Sequence, residues 1–148
     1  MLTIKKLKLF QGMEGEGFNL DLYLDGKKIA FVMDDGHGGV YDYDFVSEAA
    51  AQQLADIVNA MPPTPAGDEE WAKKLYPDGL IPMNIDMVMD ELINDHQHQK
   101  KLTKMRKTHI LFTTPHCTEK DFMSVKQNGD IERYKALILK KHPDAVFI

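Results

Sequence analysis

Asp34, Asp35, His37, Asp42 and Asp44 crowd into the stretch DDGHGGVYDYDF, residues 34 to 45. Carboxylates and an imidazole this close can hold a hard divalent cation, which prefers oxygen ligands. A cation held there would suit a metal-dependent hydrolase or nuclease. The glycine-rich segment Gly36, His37, Gly38 and Gly39 offers a different chemistry, because successive backbone N–H groups can cradle phosphate. On that reading the stretch is a small-ligand or nucleotide site. Two observations oppose both ideas. The stretch is neither a Walker loop nor a dinucleotide fingerprint, and four carboxylates repel a phosphate that arrives without a metal. The plainer expectation is a polar hairpin tip with solvated aspartates, since turns favour these residues for local reasons.

Other reactive side chains are scattered. His96 and His98 are two apart, so on a helix they point in different directions, unlike the i,i+4 histidines of zinc helices. His116 and Cys117 are adjacent, and neighbours on an extended chain point apart, so activation of the thiol requires a more distant base. The run QKKLTKMRKTH, residues 99–109, is the one basic cluster. Its Lys100, Lys101, Lys104, Arg106 and Lys107 are candidates for binding an acidic protein surface or a nucleic acid. The structural alternative is a solvated helix end that complements the macrodipole. Met83, Met87 and Met89 read as gap-filling core rather than an adaptable groove. No Ser/His/Asp set, paired-cysteine zinc pattern or glycosidase-like carboxylate pair is assignable by spacing. No catalytic residue is therefore named and no cofactor is expected, the divalent cation at the aspartates being the alternative; the balance is against an enzyme.

The chain has 148 residues, which fits a single domain spanning 1–148. Its net charge of −5 argues against a generic nucleic-acid binder, which needs a basic surface to release counterions. Residues 1–74 carry 7 basic and 13 acidic side chains, and residues 75–148 carry 11 and 10, so any basic surface comes from the second half. One cysteine rules out an intrachain disulfide and suits a reducing compartment. The N-terminus lacks a continuous apolar run, and no segment approaches the roughly 20 apolar residues of a membrane span. The expectation is a cytoplasmic protein without a membrane partner.

The elements that position these residues are legible in part. Phe18, Leu20, Leu22 and Leu24 alternate with polar residues, the two-residue period of a half-buried strand. Asp25-Gly26 then marks a two-residue hairpin turn. Pairing Leu24 with Lys27 places Leu22 opposite Ile29, Leu20 opposite Phe31 and Phe18 opposite Met33. Tyr41 and Tyr43 join the same apolar face if a three-residue loop, Gly36-His37-Gly38, connects the next strand. The predicted buried side is thus Phe18, Leu20, Leu22, Ile29, Phe31, Met33, Tyr41 and Tyr43. Residues 2–10 add a strand whose phase breaks at Lys5-Lys6, as a bulge would cause. Ser47 caps a helix over 48–61, Asp68 a short one over 69–75 anchored by Trp71 and Leu75, and Pro82 opens a long one to about 107. Strand candidates THILFTTP and DFMSVK, a helix in GDIERYKALILKKHP and a short AVFI strand come next. The expected class is α+β: an N-terminal antiparallel meander packed on three to four helices, with short C-terminal strands. The segments are β-rich over 1–45, helical over 46–107 and mixed over 108–148.

The stretch LYLDGKKIAFVMDDGHGG resembles a set of uncharacterised small bacteriophage and prophage proteins, with a D-G-K turn followed by an N/D-D-G-x-G-G loop. Asp34 stands where the resemblance suggests asparagine. The ending YKALILKKHPDAVFI is also similar to theirs. The resemblance covers a quarter to a third of the chain and brings no activity or cofactor. It implies a phage-type accessory protein in the host cytoplasm, acting by non-enzymatic binding to a host or defence component.

Overall fold

A computed structural model describes all residues from Met1 to Ile148. The chain forms two compact units, Met1–Asp95 and His96–Ile148. The first holds a four-stranded antiparallel sheet in the order β1-β2-β3-β4: Leu2–Gln11, Glu16–Leu24, Lys27–Asp34 and Asp42–Phe45. Helix α1 (Glu48–Asn59) comes next, then a two-residue ladder of β5 (Thr64–Pro65) with β6 (Leu80–Ile81), enclosing helix α2 (Glu70–Leu75). Helix α3 spans Ile85–Met105, and the division between the units falls within it. The second unit continues with β7 (His109–Thr113), β8 (Met123–Lys126), helix α4 (Ile131–Lys141) and β9 (Val146–Phe147). Its antiparallel sheet runs β8-β7-β9. The α+β class is as expected from the sequence. No helix is long and apolar enough to cross a membrane.

Local signals account for the element ends. Asp25 and Gly26 both have positive φ, 48° and 82°, the backbone of a primed hairpin turn. Ser47 Oγ accepts the N–H of Ala50 at 3.1 Å and Asp130 Oδ1 that of Arg133 at 3.3 Å, satisfying donors that a helix leaves open. The break at Lys5-Lys6 is a bulge: Lys5 pairs with Asp21 and Lys8 with Asn19, so Lys6 and Leu7 oppose only Leu20. Leu7 thereby turns inward beside Leu2 and Ile4.

The meander register differs from the expectation in two places. Tyr23 pairs with Lys28 but Leu22 pairs with Ala30, so Ile29 is an extra residue in β3. Beyond it, Leu20 faces Val32 and Asp21 faces Phe31. Ala30 and Val32, both 0% exposed, occupy the core side assigned to Phe31 and Met33, which lie partly buried on the opposite face. The physical reason is the packing of α1, whose Ala50, Leu54 and Val58 share this core. A helix approaches a sheet closely over Ala and Val, and the bulge lets Ile29 and Ala30 both turn inward. Val88, Met89 and Ile93 of α3 complete the cluster. The second difference is the connection to β4. Met33 pairs with Asp42 and Val32 with Tyr43, so residues 35–41 form a seven-residue loop instead of the three-residue turn. In α2 the expected anchors Trp71 and Leu75 are exposed, and Ala72 is the buried residue.

On the outer face of the sheet Asp21 is only 5% exposed and takes Lys28 Nζ at 2.8 Å and Lys6 Nζ at 3.3 Å. The hydrogen bond from Lys28 is the main cause holding its carboxyl below the usual range, against the opposing effect of burial. A lowered folded-state pKa stabilises the fold fully above the ordinary carboxylate value, and that contribution is lost as pH falls through the lowered value. Asp21→Asn is expected to cost about 1–2 kcal/mol at pH 7. In urea melts of both proteins across pH, the gap should narrow as pH drops below about 4. A gap that stays constant to acid pH would show that Asp21 contributes by shape alone.

Candidate functional site

The loop after β3 is tied by its own aspartates. Asp34 Oδ1 accepts the N–H of Gly36 at 3.0 Å, and Asp35 Oδ1 accepts the N–H of His37 at 3.0 Å. His37 Nδ1 lies 3.1 Å from the same Asp35 oxygen. The backbone N–H of His37, then its ring, lowers the Asp35 pKa. Two N–H groups of the glycine segment are therefore turned onto neighbouring side chains and away from any phosphate.

Gly36 is buried against the β1–β2 turn, where Glu14 N–H donates to Gly36 O at 3.0 Å. A Cβ on Gly36 would lie 2.7 Å from both Gly12 Cα and Gly15 O, and Gly36 has φ +78°. Two backbones meet there with no space for a side chain. Gly38 and Gly39 also have positive φ, 77° and 109°, on the exposed part of the loop. Asp42 and Asp44 are exposed and sit in register with Met33 and Phe31 on the outer face of the sheet. The structure brings Asp34, Asp35, Gly36 and His37 together as a corner and leaves Asp42 and Asp44 on the strand beside it. No group of three or more His, Cys, Asp or Glu side chains is placed to hold a metal ion.

The aromatic residues after the loop make a second set of contacts. Tyr43 Oη donates to Asp86 Oδ1 at 2.7 Å, Tyr41 Oη to Asp90 Oδ1 at 2.5 Å, and Tyr41 N–H to Asp86 Oδ2 at 3.2 Å. Asp86 and Asp90 are one turn apart at the start of α3, so one helix face presents both acceptors. Burial, then the hydrogen bonds to these carboxylates, pushes both phenols far above their ordinary value, keeping them neutral donors. Beside them lies an open groove of about 400 Å³ walled by Val40, Tyr43, Val58, Met83 and Asp86. Each Asp86 oxygen already accepts one hydrogen bond and keeps a lone pair for a donor entering the groove. Read from the sequence, the tyrosines are simply part of the buried side of the sheet. The interlocking spacing, two tyrosines at i,i+2 on a strand and two carboxylates at i,i+4 on a helix, is the signal that pairs them.

In the second unit Lys100, Lys101, Lys104, Arg106 and Lys107 are all exposed. Lys100, Lys104 and Lys107 follow helical spacing on one side, although α3 ends at Met105. Lys101 Nζ stands 5.7 Å from the Phe122 ring, which also meets the His98 ring at 6.1 Å. Cys117 Sγ lies 3.6 Å from Thr114 Oγ1 in a turn closed by its own N–H to Thr114 O.

No protein family, curated protein sequence or solved structure matches this chain significantly.

Gly36→Ala is expected to lose about 1–3 kcal/mol in urea unfolding, because the added methyl meets two backbones at a left-handed φ. Tyr43→Phe leaves Asp86 one donor short and should cost about 1 kcal/mol with an unchanged circular dichroism spectrum. An unaltered midpoint in either variant would contradict the corresponding contact.

Proposed function

We propose that this chain is a small non-enzymatic binding protein, of the phage accessory type that its D-G-K turn and glycine loop resemble, and that it docks onto a host or defence component in the host cytoplasm. The observation that supports this reading is the partition of charge. Met1–Asp95 carries 7 basic and 18 acidic side chains, a net of −11; His96–Ile148 carries 11 and 5, a net of +6. A short unit with one dominant sign attracts a partner of the opposite sign and raises the rate of encounter. The five exposed cations from Lys100 to Lys107 contribute much of that field. The glycine loop, by contrast, spends polar groups on holding its own shape.

The test is capture from nuclease-treated bacterial lysates on the immobilised full chain, read by mass spectrometry at low and moderate salt. The wild type should enrich a specific acidic protein, and the Lys100→Glu, Lys104→Glu, Lys107→Glu variant should lose most of it. Capture seen in a parallel untreated lysate and lost after nuclease treatment would instead mark a nucleic acid as the partner. The same proteins on both baits, or none across several hosts, would overturn the reading.

A further inference from the structure

We propose that the groove between β8 and α4 binds an extended acidic segment of a partner protein, which adds as a strand to the free edge of β8. The proposal rests on the reading of the chain as a binding protein and names the surface and the chemistry of what it holds.

The groove arises from how α4 lies on its sheet. Ile110 pairs with Val125 and Phe112 with Met123, so these four side chains share one face. Ile138 of α4 packs on Ile110 and Phe112, with Val125 and Tyr134 at the margin of that cluster. The cover is incomplete over β8: Met123 is 40% exposed and Leu137, on α4, is 54% exposed. Between them opens a cavity of about 320 Å³ whose apolar walls include Phe112, Val125, Tyr134, Leu137 and Ile138. That volume is at the lower end of ligand pockets, about 300–1,000 Å³.

Three features select the occupant. First, β8 is the outermost strand in the order β8-β7-β9, so one edge of Met123–Lys126 is paired with β7 and the other has no strand partner in the sheet. An unpaired edge is a template for an added chain. Second, in an extended chain alternate side chains point the same way, which lets apolar residues enter the groove while their neighbours face outward. Third, the charge around the groove is positive. Lys141 lines it, no carboxylate does, Lys126 ends β8, and the unit carries a net +6. Carboxylates on the outward positions of the added strand share the sheet face of Lys126, which alternates with the groove-facing Val125, and a carboxylate at the end of the segment meets Lys141 at the groove. A nucleic acid is served less well, since the floor of the groove is apolar and its phosphates would have to span it.

The experiment measures fluorescence anisotropy of a labelled peptide alternating valine and glutamate, titrated with the full chain. A valine-lysine peptide, a glutamate peptide N-methylated at alternate residues, and a labelled single-stranded oligonucleotide are run beside it. The variants are Leu137→Asp and Lys141→Glu, both at exposed positions, with folding checked by circular dichroism. Saturable binding of the glutamate peptide is expected, weakened about tenfold or more by each variant and by N-methylation on the edge-pairing side. The lysine peptide should not bind. Absence of glutamate-peptide binding, or affinity unchanged by Leu137→Asp, overturns the proposal. So does oligonucleotide binding that the peptide cannot displace, or a dimer in sedimentation that Leu137→Asp dissolves, which would assign the groove to a second copy. If lysate capture persists undiminished in Leu137→Asp and Lys141→Glu, this groove is wrong and the wider binding reading stands.

Discussion

Asp21 is a carboxylate on the outer face of the first sheet, shielded from water and met by two lysines, and the sheet is irregular on both sides of it. A buried charge is tolerated only when it is paired and hydrogen-bonded. Lys6 reaches it from the bulge in β1, at a residue with φ 54°, and Lys28 reaches it from the position just before the bulge in β3. The same two irregularities govern the other face. The β1 bulge turns Leu7 inward, and the extra residue in β3 delivers Ile29 and Ala30 together. The ion pairs outside and the helix-covered core inside thus depend on one arrangement of the backbone.

That arrangement also sets the path of the chain after β3. Once Val32 faces the core, Tyr43 is its partner, and Asp42 and Asp44 fall on the outer face. The glycine segment is then the means of turning a long corner: Gly36 lies against the β1–β2 turn where a Cβ would collide with backbone, and Asp34 and Asp35 tie the chain on either side. Past the corner, Tyr41 and Tyr43 fasten β4 to the first turns of α3 through Asp86 and Asp90. Of the four aspartates that first suggest a metal site, Asp34 and Asp35 serve as acceptors for their own loop, and Asp42 and Asp44 lie exposed on the outer face of the sheet.

The second unit is built on a different pattern. Its core is small, formed by Ile110, Phe112 and Ile138, and it leaves apolar side chains exposed beside lysines. Helix α4 packs through Ile138 on Ile110 and Phe112 of β7 and leaves Met123 of β8 exposed. The groove between β8 and α4 is the geometric consequence, and the excess of basic residues gives it a sign.

Features written in local chemistry are legible in the chain before it folds. Asp25-Gly26 dictates a tight turn because both positions accept positive φ. Ser47 and Asp130 start helices because their side chains reach the next turn's N–H groups. The phase break at Lys5-Lys6 announces a bulge. The β3 register and the acceptors of the two tyrosines are of another kind, and they depend on long-range packing. Ile29 to Met33 is an unbroken apolar run, so a period of two carries no information about which side is buried. The choice fell to the helices, which pack against Ala30 and Val32. Tyr43 and Asp86 lie 43 residues apart, and only the folded chain brings their oxygens within a hydrogen bond.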